Sequence, residues 1–104
     1  MTKHIILWNL KDELDDTKKA EIKAGIKKGL EGLQGRIPGL LDIHVITECL
    51  PSGNADVMLD SAFESPEALK GYATHPAHVE VADTLVRPFT KSRVCMDYET
   101  EKAL

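Results

Sequence analysis

Two patterns open the chain, one with the period of a strand and one with the period of a helix. Residues 4–10, HIILWNL, are bulky, apolar and β-prone, and their number suits a first strand. Apolar side chains then recur at helical spacing, and the short carboxylate of Asp15 or Asp16 can cap this helix. Its apolar stripe consists of Ile22, Ile26, Leu30 and Leu33.

Three glycines, Gly25, Gly29 and Gly32, interrupt this helical pattern. In a helix interior each costs roughly 1 kcal/mol relative to alanine. A close contact with another helix and simple tolerance are both open explanations at this point.

The middle of the chain predicts a turn followed by two strands. Residues 35–40 contain Pro38 and Gly39, which end the helix and reverse the chain. Strands are predicted over residues 41–48, LDIHVITE, and over residues 55–63, ADVMLDSAF. Because only a short loop separates them, we expect these two strands to form a β hairpin.

The last third of the chain predicts two short helices. Ser65 can cap the first, with Pro66 at its first position, and the second begins at Pro76 with His75 at or beside its cap. Pro88 should bend or stop the second helix. The inward stripe of the second helix is predicted to contain His78, Ala82, Leu85 and Phe89.

A final strand over residues 92–99, SRVCMDYE, completes the order β, α, β, β, α, α, β. Alternation along it separates Arg93, Cys95 and Asp97 from Val94, Met96 and Tyr98. This order predicts an α+β fold of one domain over residues 1–104: a ferredoxin-like four-stranded antiparallel sheet with helices on one face. The uncovered face is predicted to be apolar, through Ile5, Leu7, Met58, Val94 and Met96.

Composition narrows the class of partner. With 17 acidic and 13 basic residues the chain lacks a cationic field, which argues against nucleic acid and anionic membranes as partners. The apolar run at residues 1–10 is too short to span a bilayer and does not resemble a signal peptide, so we expect a cytoplasmic protein. Cys49 and Cys95 are far apart and outside any CxxC motif, which predicts reduced thiols, no disulfide and no metal site.

Two segments, KHIILWNLKDE and FESPEALKGYATHPAHVEVADTLVRPFTKSRVCMDYE, resemble the stress-responsive A/B barrel (Dabb) domain. The resemblance covers about residues 3–99, and HPAHV before a helix, followed by a strand ending in DYE, is its most specific part. In that family two protomers pack sheet against sheet into a dimeric α/β barrel. The resemblance therefore implies a homodimer.

The YATHPAH segment is similar to that of the plant polyketide cyclase branch of the family, which closes poly-β-keto chains by an aldol step. This similarity implies catalytic roles for Tyr72 and His78, and it places His4 and Asp97 in the same site. The match is incomplete, since Val57 stands where the cyclases have a pocket histidine. Trp8 also stands where they have a smaller side chain, which implies a narrower cavity and a different substrate.

Aldol or enolisation chemistry needs a base beside the carbonyl and a donor for the enolate oxygen. His78, near the positive end of a helix, suits the base, and Tyr72 suits the donor. Asp97 could accept the other ring hydrogen of His78 and fix its tautomer. No cofactor is required. We expect a small-molecule ligand to meet Ile6, Trp8, Val57, Leu59, Leu85, Phe89 and Cys95.

Structural roles account for the same residues and remain open from sequence alone. His78 can be a core histidine, His75 a helix cap, Tyr72 a packing residue and Asp97 a strand-end ion-pair partner. Two other functional classes also remain: a noncatalytic, stress-associated dimer that holds a ligand, and a cofactor-free monooxygenase of related dimeric barrels. An open cavity of at least ~300 Å³ would favour a ligand site.

Overall fold

The computed structural model describes residues 1–101, so the final residues of the predicted domain, 102–104, lie outside the described part. The strands are β1 (Thr2–Leu10), β2 (Leu40–Ile46), β3 (Val57–Phe63) and β4 (Thr90–Glu99). The helices are α1 (Asp16–Glu31), α2 (Pro66–Thr74) and α3 (Pro76–Val81), and α3 continues through a π-turn (Ala82–Val86) and a 3₁₀ turn (Arg87–Phe89).

The four strands form one sheet in the order β2-β3-β1-β4, with every neighbouring pair antiparallel. The predicted hairpin is present, because β2 pairs with β3. Helix and strand side chains share one buried core on the inner face of this sheet. The predicted α+β, ferredoxin-like fold is thus confirmed, although β1 and β4 each begin two residues earlier than predicted.

Helix α1 is fixed by its cap and by tight packing. The Asp15 carboxylate accepts a hydrogen bond from the Lys18 amide at 2.7 Å, which satisfies one of the free amides of the first turn. Gly29 lies where the last helical segment comes close to α1. A Cβ at that position would lie 2.7 Å from Leu85 Cδ1 and 3.0 Å from Val81 Cγ1. A close helix contact therefore requires glycine there.

The helix that begins with α3 changes pitch before it reaches β4. In the π-turn over residues 82–86, the Arg87 amide donates to the Ala82 carbonyl, five positions back. Pro88 has no amide hydrogen with which to continue a regular helix, so the chain tightens into the 3₁₀ turn and enters β4. This shift of register decides which side chains of the segment point inward.

The outer face of the sheet, which turns away from the helices, is largely apolar. Strand register aligns Ile46, Met58, Leu7 and Val94 in one row across it. Val94 is 64% exposed in the single chain. Within residues 1–101, no helix is both long enough and apolar enough to cross a membrane.

Candidate active site

An open cavity of about 850 Å³ lies between the β1–β4 half of the inner sheet face and the helical segments that follow β3. Strand β1 contributes His4, Ile6 and Trp8 to its wall, and β4 contributes Arg93, Cys95 and Asp97. These six alternate along their strands, so they share the inner face. The cavity exceeds the size needed to enclose a small ligand.

Helices α2 and α3 bring Tyr72 and His78 into van der Waals contact on the cavity wall. Their ring centroids lie 4.1 Å apart with an interplanar angle of 34°. Phe63 supports the other side of the phenol, with its centroid 4.9 Å from that of Tyr72. Ser65 caps α2, and the His75 side chain caps α3 by accepting from the Ala77 amide, so both rings are held by well-defined helix starts.

The Tyr72 hydroxyl is buried and, within residues 1–101, it is the one buried side-chain oxygen or nitrogen without a hydrogen-bond partner. Burial raises the pKa of this phenol, so the group keeps its proton at neutral pH. A buried hydroxyl without a partner has lost its hydrogen bonds to water without replacement. Its hydrogen-bonding capacity is therefore unused within the described protein.

His78 has the opposite character, that of a neutral acceptor. Burial lowers its pKa below the ordinary value, and the positive charges of Arg87 and Arg93 act in the same direction. Its Nδ1 lies 3.3 Å from the Ala73 carbonyl oxygen, which accepts a hydrogen from it. With the hydrogen on Nδ1, the lone pair of Nε2 is available as a base.

Asp97 pairs with His4, and the prediction that it would orient His78 is wrong. The antiparallel register places His4 directly opposite Asp97, and His4 Nδ1 lies 2.5 Å from Asp97 Oδ1. Partial burial raises the pKa of Asp97, but the hydrogen bond and charge of His4 outweigh this and lower it overall. The Ala73 carbonyl takes the place that the sequence assigned to Asp97.

Cys95 joins this pair on the same wall. Its Sγ lies 3.7 Å from His4 Nδ1 and 3.4 Å from Asp97 Oδ1, and these three side chains form a group that could hold a metal ion. Two ligands of one tetrahedral zinc ion are about 3.3 Å apart, so the 2.5 Å contact between His4 and Asp97 is that of a hydrogen bond. Burial and the Asp97 carboxylate raise the pKa of the Cys95 thiol, which disfavours a nucleophilic thiolate.

The residues predicted to contact a ligand divide into two groups. Ile6, Trp8, Leu59 and Cys95 line the cavity. The prediction is wrong for Val57, Leu85 and Phe89, which lie away from it. Val57 is fully buried opposite Trp8 in the β1–β3 ladder.

The π-turn explains the other two displaced residues. It takes in one extra residue, so Val86 faces the cavity and Leu85 turns toward Gly29 of α1. Phe89, in the 3₁₀ turn, packs at the edge of the core, with Lys18 Nζ 6.0 Å from its ring centroid. A hydrophobic pattern with the period of a regular α-helix does not indicate the π-turn.

Several cavity residues were not predicted as site residues. Three of them, Lys70, Arg87 and Arg93, are cationic. Strand alternation already placed Arg93 on the face of Cys95 and Asp97, so a sequence signal existed for that residue. For Lys70 and Arg87 the helical period gave none.

The chain is similar in sequence to known proteins over most of its length. The family model described as Stress responsive A/B Barrel Domain matches residues 2–100. Olivetolic acid cyclase from Cannabis sativa is 29% identical over 103 residues, which cover 96% of this chain and 97% of that protein. The stress-response A/B barrel domain-containing protein HS1 from Arabidopsis thaliana is 34% identical over 101 residues, which cover 93% and 87%.

The fold also has a close match among solved structures. A dimeric protein of unknown function with a ferredoxin-like fold, from Bacteroides fragilis, superposes with a TM-score of 0.89 at 31% identity. The matched region covers 95% of each chain. The relatives thus match the chain over nearly its whole length.

Proposed function

The chain belongs to the stress-responsive A/B barrel (Dabb) domain family, and from that premise we propose that its cavity binds a small apolar carbonyl compound and catalyses proton transfer beside the carbonyl. His78 acts as the base and Tyr72 as the hydrogen-bond donor. One relative is named as a cyclase, olivetolic acid cyclase, which supports an enzymatic role for this pair of residues.

The proposal rests on Tyr72, a residue that lines the cavity and whose buried hydroxyl has no hydrogen-bond partner in the described chain. A protein tolerates such a group at a cost of about 1–3 kcal/mol. A carbonyl oxygen in the cavity would provide the missing acceptor. As that oxygen gains charge in the transition state, the hydrogen bond becomes stronger.

The proton transfer follows from the protonation states of the two rings. Nε2 of neutral His78 takes a proton from the carbon next to the carbonyl, and the C–H electron pair forms the enolate double bond. The carbonyl π electrons move to oxygen, which accepts the Tyr72 hydrogen bond. The enolate carbon can then attack a second carbonyl, and the His78 imidazolium returns its proton to the new alkoxide.

The test is deuterium exchange into 2-octanone in D₂O, followed by NMR. Wild-type protein should accelerate exchange at the carbons beside the carbonyl, and His78→Ala should lose this acceleration, by roughly 10²-fold or more. His44→Ala is the matched control, because His44 is an exposed histidine paired with Asp42 and lies outside the cavity. His44→Ala should exchange at the wild-type rate.

The outcomes separate the proposal from a ligand-holding function. The fluorescence of Trp8, the single tryptophan of the chain, reports on the cavity that it lines. If 2-octanone changes this fluorescence but no exchange is catalysed, the cavity holds ligands without chemistry. If His78→Ala exchanges as fast as wild type, His78 is not the base.

We also propose that two copies pair through the apolar outer face of their sheets. A solved relative at 31% identity is described as dimeric, and the row of Ile46, Met58, Leu7 and Val94 would otherwise remain in water. Val94→Lys should halve the molar mass measured by light scattering, whereas Thr84→Lys on an exposed helical surface should not change it. The cytoplasm stays the predicted location.

A further inference from the structure

The charges of the cavity wall differ from those of the whole chain. The chain carries a net charge of −4. The cavity wall nevertheless contains three cationic side chains, Lys70, Arg87 and Arg93, and two carboxylates, Asp97 and Glu99. An acidic protein therefore has a cavity with more cationic than anionic side chains.

Both carboxylates of the wall have internal partners. Asp97 is bound by His4, and Glu99 Oε1 accepts from the Thr2 hydroxyl at 2.5 Å. Hydrogen bonds to an ionised carboxylate stabilise its charged form, so both carboxylates already have partners within the protein. Neither carboxylate forms an ion pair with Lys70, Arg87 or Arg93 in the described part of the chain.

The three cations differ in how far they are already neutralised. Arg87 forms an ion pair with Asp83 one helical turn earlier. Within residues 1–101, Lys70 and Arg93 form no ion pair at all. Arg93 shares the inner face of β4 with Cys95 and Asp97, and it lines the same cavity as His78 and Tyr72.

The influence of Arg93 extends across the site. Its positive charge favours lower pKa values for His78, for Cys95 and for Asp97. Arg93 of β4 and His78 of α3 both line the cavity. A ligand that occupies this cavity can therefore contact Arg93.

We propose that the natural ligand is an anionic carbonyl compound, with a carboxylate that Arg93 binds while the apolar part of the ligand fills the cavity. The proposal rests on the function proposed above and adds the charge of the substrate to it. A planar guanidinium matches the two oxygens of a carboxylate, and Lys70 adds a second positive charge to the cavity wall. The low polarity of the remaining wall strengthens this attraction.

The test compares octanoate with octanamide, which has the same chain length and no charge. Binding is measured by the fluorescence of Trp8 and by calorimetry. Wild-type protein should bind octanoate at least about 10-fold more tightly than octanamide. Added NaCl should weaken the binding of octanoate and leave that of octanamide unchanged, since salt screens charge interactions.

Substitutions at Arg93 test whether this residue causes the preference for octanoate over octanamide. Arg93→Gln should weaken octanoate binding about 10-fold and leave octanamide binding unchanged, and Arg93→Lys should retain part of the selectivity. Lys91→Gln is the matched control, because Lys91 lies on the same strand, outside the cavity, and pairs with Asp12. It should bind both ligands as wild type does. Circular dichroism checks that each variant is folded.

Three results would overturn the proposal. These are equal binding of octanoate and octanamide by wild type, equal loss of both ligands in Arg93→Gln, and tighter binding of octyl phosphate than of octanoate, which would assign the site to phosphates. If only octanamide binds, the function proposed above is unaffected, because it is tested by deuterium exchange into 2-octanone in wild type and His78→Ala. If neither ligand binds, the carboxylate site at Arg93 is rejected, while the function proposed above is still decided by deuterium exchange into 2-octanone.

Discussion

The inner face of the sheet has a filled half and an open half. Over β2 and β3, helix α1 leaves Ile43, Val45 and Val57 almost completely buried. Over β4, the inward-facing Arg93, Cys95 and Asp97 remain exposed. The two halves belong to one continuous sheet, so the difference arises from the helical layer.

The placement of the last helical segment explains the difference. The segment that begins with α3 packs against α1, where Gly29 allows Leu85 to approach closely, and it leaves the inner face of β4 uncovered. Polar side chains collect in the open half, where water or a ligand can satisfy them. The fold thus separates a half that provides stability from a half that is available for chemistry.

The largest expected effect contrasts side-chain truncation in the two halves. Ile26 of α1 is completely buried, so Ile26→Ala should lower the free energy of unfolding by about 2–5 kcal/mol. Cys95→Ala in the open half should change it by less than about 0.5 kcal/mol. Urea denaturation measures both. Equal losses would show that the two halves are packed alike.

A second, smaller effect tests the contact between α1 and the last helical segment. Gly29→Ala should destabilise the protein by about 1–2 kcal/mol, because the new methyl group meets Leu85 and the stiff side chain of Val81. Gly25→Ala is the matched control, since its Cβ would lie 3.8 Å from Leu85 Cδ2, an ordinary contact. Gly25→Ala should stabilise by up to about 1 kcal/mol. Stabilisation by both substitutions in thermal melts would rule out the close approach.

Tyr72→Phe tests whether the hydroxyl of this cavity-lining residue serves function or stability. Removing a buried hydroxyl without a partner should raise the free energy of unfolding by roughly 1 kcal/mol, while carbonyl exchange falls. The opposite signs of the two effects distinguish a functional hydroxyl from a structural one. A loss of stability in urea denaturation would mean that the hydroxyl has a partner in the folded protein.

The smallest effect is a pH dependence set by His78. Its folded pKa lies below the ordinary value of 6.5, because burial disfavours the charged ring and Arg87, His4 and Arg93 add positive charge around it. Below about pH 6.5 the unfolded chain therefore binds a proton that the folded protein does not, and stability falls until the folded pKa is reached. Thermal melts from pH 7.5 to 5 should show this fall.

The His78→Gln variant provides the comparison for that titration. It should lose less stability than wild type over the same pH range, because the group that titrates is gone. Asp97 acts in a separate range, since its pKa lies below 3.8 and its contribution is lost only at stronger acidity. Identical pH profiles for wild type and His78→Gln would contradict the depressed pKa.

The sequence predicted the elements and the faces of the strands well. Alternation along β1 and β4 placed His4, Trp8, Cys95 and Asp97 on one face, and all four line the cavity. The sequence also predicted the helix caps at Asp15, Ser65 and His75, because capping depends on a few adjacent residues. Local chemistry is sufficient for features of this kind.

Two features of the site depended on information that the sequence does not display. The pairing of His4 with Asp97 follows from the register between strands that are about 90 positions apart, which no local pattern fixes. The π-turn that brings Val86 into the cavity in place of Leu85 results from tertiary packing and a nearby proline. Hydrophobic periodicity assumes a regular helix, so it misplaces residues beyond such a turn.

The most direct measurement is a crystal structure of the protein soaked with acetylacetone, a small β-dicarbonyl compound. We expect ligand density in the cavity, with one carbonyl oxygen about 2.5–3.0 Å from the Tyr72 hydroxyl oxygen and the central carbon facing Nε2 of His78. A cavity closed by Trp8, or a His78 ring turned to solvent with the ligand elsewhere, would contradict it.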